Sequence, residues 1–178
     1  MLITQRTARW ALLTVALLSL APLAVRAQGV RVKLPAWPDL ILLDTMRSEH
    51  PVSAPPEAVY AAVLKIFFEL GIPVGNTDNK AGIIGSERFE RSRNLAGLPM
   101  SRSFSCGESA TGPNADSYRL TIVVVAWVTP RAGGGSTLAT AMAASGADNA
   151  GVSKPPRECA SLGRIEEKIL DGVTKYAK

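Results

Sequence analysis

The sequence predicts an α+β domain, an antiparallel sheet of about five or six strands with two helices packed on one face. Three observations carry this. Tyr118 to Thr129, YRLTIVVVAWVT, is longer, more apolar and richer in β-branched residues than any other stretch after residue 27, and it reads as the central strand. Pro55 to Leu70 and Ser161 to Tyr176 carry apolar residues at helical spacing, one on either side of that strand. Between them lie short extended runs joined by turn-rich segments, without the repeated strand–helix alternation of a parallel nucleotide-binding sheet.

At the start of the chain, Arg6 and Arg9 precede the apolar run Trp10 to Leu20, and Val25 and Ala27 are the small residues a signal peptidase selects. Residues 1–27 therefore read as a secretory signal peptide cleaved after Ala27, which places the protein in a periplasm or outside the cell. The run is shorter than the roughly 20 residues a membrane-spanning helix needs. No cysteine adjoins the junction, so no covalent lipid anchor is expected, and no twin-arginine pair suggests export in a folded state. The leader takes three of the 20 basic residues and none of the 15 acids, so a net charge of +5 falls to +2. That balance gives no reason to expect a nucleic-acid partner. What remains, about 150 residues, suits one domain with one core.

Residues 28–39, basic and punctuated by Pro35 and Pro38 around Trp37, read as an extended, exposed lead-in to a single α+β domain over 40–178. Leu40 to Thr45 is a short apolar run that could be the first strand. Arg47 to Ala54 reads as a loop carrying the chain's one histidine. His50 beside Glu49 could be drawn as a general base oriented by a carboxylate, but beside Pro51 it reads as solvated surface.

Pro55 to Leu70 is the clearest helix. Its paired prolines suit a first turn whose N–H groups have no partner anyway, and Glu57 complements the dipole. Val59, Val63, Ile66, Phe67 and Leu70 recur at helical spacing, Ala62 allows close approach, and Gly71 suits a left-handed cap. Two short extended runs follow, joined at Asp78 to Gly82 by the Asp/Asn/Gly chemistry of a hairpin turn. PPEAVYAAV, then LGIPV, then DNKAGIIGS resembles the opening helix, strand and hairpin of helix-grip domains in the C subunit of the outer-membrane β-barrel assembly machinery and related envelope proteins. The likeness spans roughly Thr45 to Ser86, with a weaker echo in the last helix. It implies a sheet gripping a long helix and a non-catalytic envelope role. The absent lipid-attachment cysteine departs from that family and puts membrane tethering in doubt.

Arg88, Arg91, Arg93 and Arg102 surround a Gly/Pro-containing loop, yet Glu87 and Glu90 lie among them, so a mixed solvated loop is favoured over an anion site. Ser101 to Cys106 alternates as a strand and Gly107 to Ser117 is polar loop. In the central strand, side chains alternate faces. Leu120, Ile122 and Val124 point one way, while Val123, Val125 and Trp127 point the other and form a candidate interface for a partner protein or a second copy. The competing expectation is that the lead-in around Trp37 or the loop after Met142 folds over that patch. Thr129 to Ser136 reverses the chain, and 137–147 is read as an edge strand although its alanines also suit a helix. Asp148 to Pro156 is loop. The three consecutive glycines lack the lysine and hydroxyl of a phosphate-binding loop.

The last helix, Ser161 to Tyr176, puts Leu162, Ile165, Ile169, Val173 and Tyr176 on one stripe, with Ser161 as a cap. Gly163 and Gly172 weaken it unless they permit close approach. Cys106 and Cys159, the chain's two cysteines, are expected to form a disulfide in an oxidising compartment, the alternative being two buried thiols. Closing that loop would stabilise by roughly 4 kcal/mol on the chain-entropy model. One histidine and two distant cysteines make no metal-ligand spacing, and no serine sits in an elbow motif. No cofactor, metal or catalytic residue is assigned. The expected function is a non-catalytic, protein-binding or structural envelope module, and the alternative is a carrier of a small apolar ligand or lipid held between helix and sheet near Phe67 and Phe68. The leader yields the first prediction: intact mass of the exported protein should show a chain beginning at Gln28 with no acyl increment. A retained leader or a lipid-sized addition contradicts it.

Overall fold

The computed structural model describes residues 29–149 and 155–178. The expected leader, its cleavage after Ala27 and the new terminus Gln28 lie outside these residues, as does 150–154 within the expected loop.

A lead-in strap carries two short strands, β1 (Arg31–Val32) and β2 (Ile41–Leu42), paired with each other, and a 3-10 turn over Leu43–Met46. Then come β3 (Ser48–Val52), helix α1 (Pro56–Glu69), β4 (Val74–Asp78), β5 (Ile83–Ser86) and β6 (Phe89–Ser92). A small hairpin of β7 (Asn94–Leu95) and β8 (Leu98–Pro99) leads into the single-turn helix α2 (Met100–Ser103) and β9 (Phe104–Ser105). Another, β10 (Glu108–Ser109) with β11 (Gly112–Pro113), leads into the single-turn α3 (Asn114–Ser117). The chain closes with β12 (Tyr118–Pro130), β13 (Ser136–Asp148), β14 (Arg157–Ser161) and helix α4 (Arg164–Tyr176).

Eight strands form one open sheet in the order β4-β5-β12-β13-β14-β9, with β6 beside β12 next to β5 and β3 beside β13 next to β14. Every pairing is antiparallel. The predicted class is therefore correct, and the sheet is larger than expected because two rows are each built from two short strands. β12 and β13 pair over their whole length, from Tyr118↔Asp148 to Pro130↔Ser136. Where β5 stops and β6 has not begun, the Val124 N–H has no strand carbonyl opposite, and the Ser86 hydroxyl oxygen accepts it at 2.9 Å. A buried N–H left unpaired would cost about 1–3 kcal/mol, so that serine closes the gap in the row.

Both long helices lie on the Leu120, Ile122 and Val124 face, as predicted. Val59, Val63, Ile66 and Phe67 of α1 and Ile165, Ile169 and Val173 of α4 are buried there. α1 ends as expected: Gly71 has φ of 69°, its N–H donates to Phe68 O and the Ile72 N–H donates to Phe67 O. This paired closure satisfies two terminal carbonyls and buries Ile72. Gly146 faces the same layer, where a Cβ would come within 2.9 Å of both Cys159 Sγ and Tyr118 Cδ2. The missing side chain thus makes room for the Cys106–Cys159 disulfide, which the structure contains.

Several local expectations are corrected. Arg47 to Ala54 is not a loop: it holds β3, which pairs with β13, and Pro51 is tolerated because β3 lies at the sheet margin. The 137–147 stretch is a strand but not an edge, since β13 is flanked by β12 on one side and by β3 and β14 on the other. Ser101 to Cys106 begins as the α2 turn, whose Ser101 N–H is held by Asp116 Oδ1 at 2.8 Å. Leu162 is exposed and off the helical stripe, because Gly163, at φ 79°, turns the chain before α4 begins. Ser161 accepts a hydrogen bond from Gly163 N and donates one to Glu166 Oε1, so it ties the approach to the helix without occupying the cap position.

Gly172 resolves the question of why a helix tolerates it. A Cβ there would stand 2.4 Å from Ile66 Cδ1 and 3.2 Å from Ile66 Cβ, so the glycine sets the separation of α1 and α4. Alanine would gain about 1 kcal/mol of helix propensity but overpack by about 1–3 kcal/mol, and rotating Ile66 cannot move its own Cβ away. Gly172→Ala should therefore lower the unfolding temperature; a rise would show that the helices separate freely.

Candidate functional site

The second sheet face is where the sequence placed an interface, and the structure corrects that reading. Val123, Val125 and Trp127 pair across the hairpin with Ala143, Ala141 and Ala139, so a ridge of large side chains runs beside a trough of small ones. The strap fills this relief. Leu34 and Leu43 are fully buried in it, and Val30, Val32, Trp37 and Ile41 pack around them. Trp127 is left 3% exposed, so it is core and not surface. The lead-in is accordingly part of the domain: its inner side chains form the layer that a one-sided sheet lacks, and its outer ones stay exposed.

Packing holds the strap more than polar bonding does. Its strands pair with each other, the Leu43 N–H donates to Val30 O, and Arg88 reaches Lys33 O at 3.5 Å from the sheet side. Trp127 Nε1 is buried with no acceptor among the described residues. That omission costs about 1–3 kcal/mol. Removing some 150–250 Å² of indole surface from water is worth about 4–6 kcal/mol, so burial wins.

Three of the arginines grouped in sequence have separate surroundings. Arg88 lies against the strap, Arg91 donates to Gly71 O at the end of α1, and Arg102 lines a groove with Arg164 and Lys168 that Glu167 and Asp171 also line. No single anion cradle results. His50 sits in β3 opposite Leu138, and Glu49 is paired with Arg47 at 2.8 Å, so the carboxylate that would have oriented the imidazole is engaged elsewhere. Among the described residues no group of three or more His, Cys, Asp or Glu side chains could hold a metal ion. No helix among them is long and apolar enough to cross a membrane.

A few large apolar side chains also remain at the surface. Among the described residues the exposed large hydrophobics are Leu40, Leu42, Met46, Phe68, Val74 and Leu162, and Phe68 stands out at 84% exposed. At 100° per residue, the run Ile66-Phe67-Phe68 cannot all face the sheet. Phe67 is fully buried beneath α1, and Phe68 points to solvent. Ala61 and Leu64 share its side of the helix at i, i+3 and i+7 spacing, Ala61 exposed and Leu64 half-buried. The sequence signal was available, because α1 is apolar around nearly its whole circumference with only Glu57, Lys65 and Glu69 charged. Such a helix usually buries more than one face.

A groove of about 530 Å³ opens elsewhere, between the start of α1 and the β4–β5 turn, lined by Pro56, Tyr60, Lys80, Val128 and Pro130 among others. Its lining includes Tyr60 of α1 and Val128 of β12 and does not include Phe67 or Phe68.

No protein-family model matches the chain, and comparison with curated proteins finds no match. The two kinds of apolar residue can be told apart by stability. Leu34→Ala should cost about 2–5 kcal/mol in denaturant unfolding, whereas Phe68→Ala should stay within about 0.5 kcal/mol. A neutral Leu34→Ala would mean that the strap is not part of the folded core.

Proposed function

We propose that this is an exported, non-catalytic module that binds a protein partner through the outward side of α1. The observation that carries the reading is Phe68, 84% exposed on a helix whose sheet-facing side is already filled. Ala61, Leu64 and Phe68 are spaced as the anchors of a helix that is laid into an apolar groove, so the partner is a protein presenting such a groove. The disulfide between Cys106 and Cys159 supports an oxidising, extracytoplasmic setting. The resemblance of the α1 to β5 segment to helix-grip envelope domains points the same way and rests on sequence alone.

A second reading, a carrier of a small apolar ligand, is favoured by the groove beside Tyr60, whose volume of about 530 Å³ suits a small molecule. One experiment separates the two. Protein immobilised in its mature form is exposed to envelope extract, in parallel with Phe68→Lys, and the purified protein is also extracted with organic solvent. A partner bound by the parent and at least about tenfold weaker with the variant supports the protein-binding reading. Equal capture by both removes Phe68 from the interface, and a recovered apolar small molecule without a protein partner favours the carrier.

A further inference from the structure

We infer that the strap, residues 29–46, is a hinged cover that lifts from the sheet as one unit while the eight strands and both long helices stay folded. Its hydrogen bonds close on themselves. β1 pairs with β2, the Trp37 N–H donates to Leu34 O at 3.1 Å, and the Leu43 N–H donates to Val30 O at 2.9 Å. The Lys33 ammonium donates to Pro38 O and the Thr45 hydroxyl to Leu42 O, again within the strap. Among the described residues one hydrogen bond crosses to the body, from Arg88 Nη1 to Lys33 O, and at 3.5 Å it is longer than an ordinary N–H···O bond. No ladder joins the two layers, because β1 and β2 form a sheet of their own.

The covalent connection allows the same motion. Among the described residues the strap enters the body at one place, Arg47, a single residue of extended backbone between the 3-10 turn and β3. By contrast α1, on the other face, lies between β3 and β4, and both are paired into the eight-stranded sheet. That helix cannot leave without stripping strands, whereas the strap lifts without breaking a ladder of the main sheet. The two cores share no residue, so lifting dissolves the second and leaves the first intact.

The cover is held shut by the burial of Leu34 and Leu43, with Val30, Val32, Trp37 and Ile41 around them. Such contact is non-directional and is made or lost without rearranging a hydrogen-bonded framework. One polar group opposes it. Trp127 Nε1 is buried with no acceptor among the described residues, and it regains water when the strap lifts. A segment with its own internal bonds, a single long bond to its neighbours and one covalent hinge opens at a lower free energy than the whole fold. The strap therefore gates this side of the sheet: closed, Trp127 is core, and lifted, it is surface.

Hydrogen exchange of the purified protein, followed residue by residue by NMR under native conditions, tests this. The Trp37 and Leu43 amides and the Trp127 indole N–H should exchange through one common opening. After correction for intrinsic rates they should exchange at least about a hundredfold faster than the slowest amides of β12 and β13, and with a weaker dependence on denaturant, because less surface is exposed. Leu34→Ala should speed this set about tenfold or more. Gly172→Ala strains the helix layer, which is the same in the closed and lifted states, so it should speed exchange in β12 and β13 and leave the strap set at its parent rate. The parent protein decides the matter even where a variant fails to fold. One rate for strap and sheet means that the strap opens only with the whole fold, and the inference is overturned. Strap amides that exchange while the Trp127 indole stays as protected as β12 overturn it too, since the strap then frays in place. So does a Gly172→Ala effect that shifts both sets together.

Discussion

The fold depends on the in-register pairing of β12 with β13 over thirteen residues each. Because side chains alternate strictly, that one register decides which residues of both strands share a face. It sets Val124 beside Met142 and Val128 beside Leu138 under the helices, and Trp127 beside Ala139 under the strap. A slip of one position would move Met142 and Leu138 to the strap side and the alanines to the helix side. Neither covering layer would then fit, so the register is held from both directions.

The two layers that grip this hairpin differ in kind. On one side, α1 and α4 bury large aliphatic side chains and approach each other closely where Gly172 meets Ile66. On the other, a short strap of little regular structure suffices because β13 presents alanine there. Small side chains lower the trough enough for Leu34 and Leu43 to be buried completely, at about 1.5–3 kcal/mol each. The disulfide joins β14 to the segment that follows β9 and so secures the far margin of the sheet, near the long connections around it.

With both faces of the sheet covered, the large hydrophobics that stay exposed lie mostly on the outside of the covering elements. The outward sides of α1 and of the strap carry most of the exposed large hydrophobics among the described residues, and they belong to different layers. The charged side chains near two of the surface grooves are largely matched by opposite charges.

Local pattern alone determined the class, the two long helices, the central strand, the left-handed turn at Gly71 and the pairing of Cys106 with Cys159. These follow from periodicity, from the conformational freedom of glycine and from there being one possible partner for each cysteine. Tertiary structure decided the rest. Arg47 to Ala54 carries a proline, charges and a histidine, so it lacks a strand pattern, and only the margin of β13 makes it β3. The alanine-rich 137–147 stretch has no intrinsic preference strong enough to choose, and pairing with β12 chose for it. Whether Trp127 was surface or core could not follow from its own strand, because alternation assigns a face but not what covers it. The strap that covers it comes from some ninety residues earlier, and its fit depends on the relief created by two strands together.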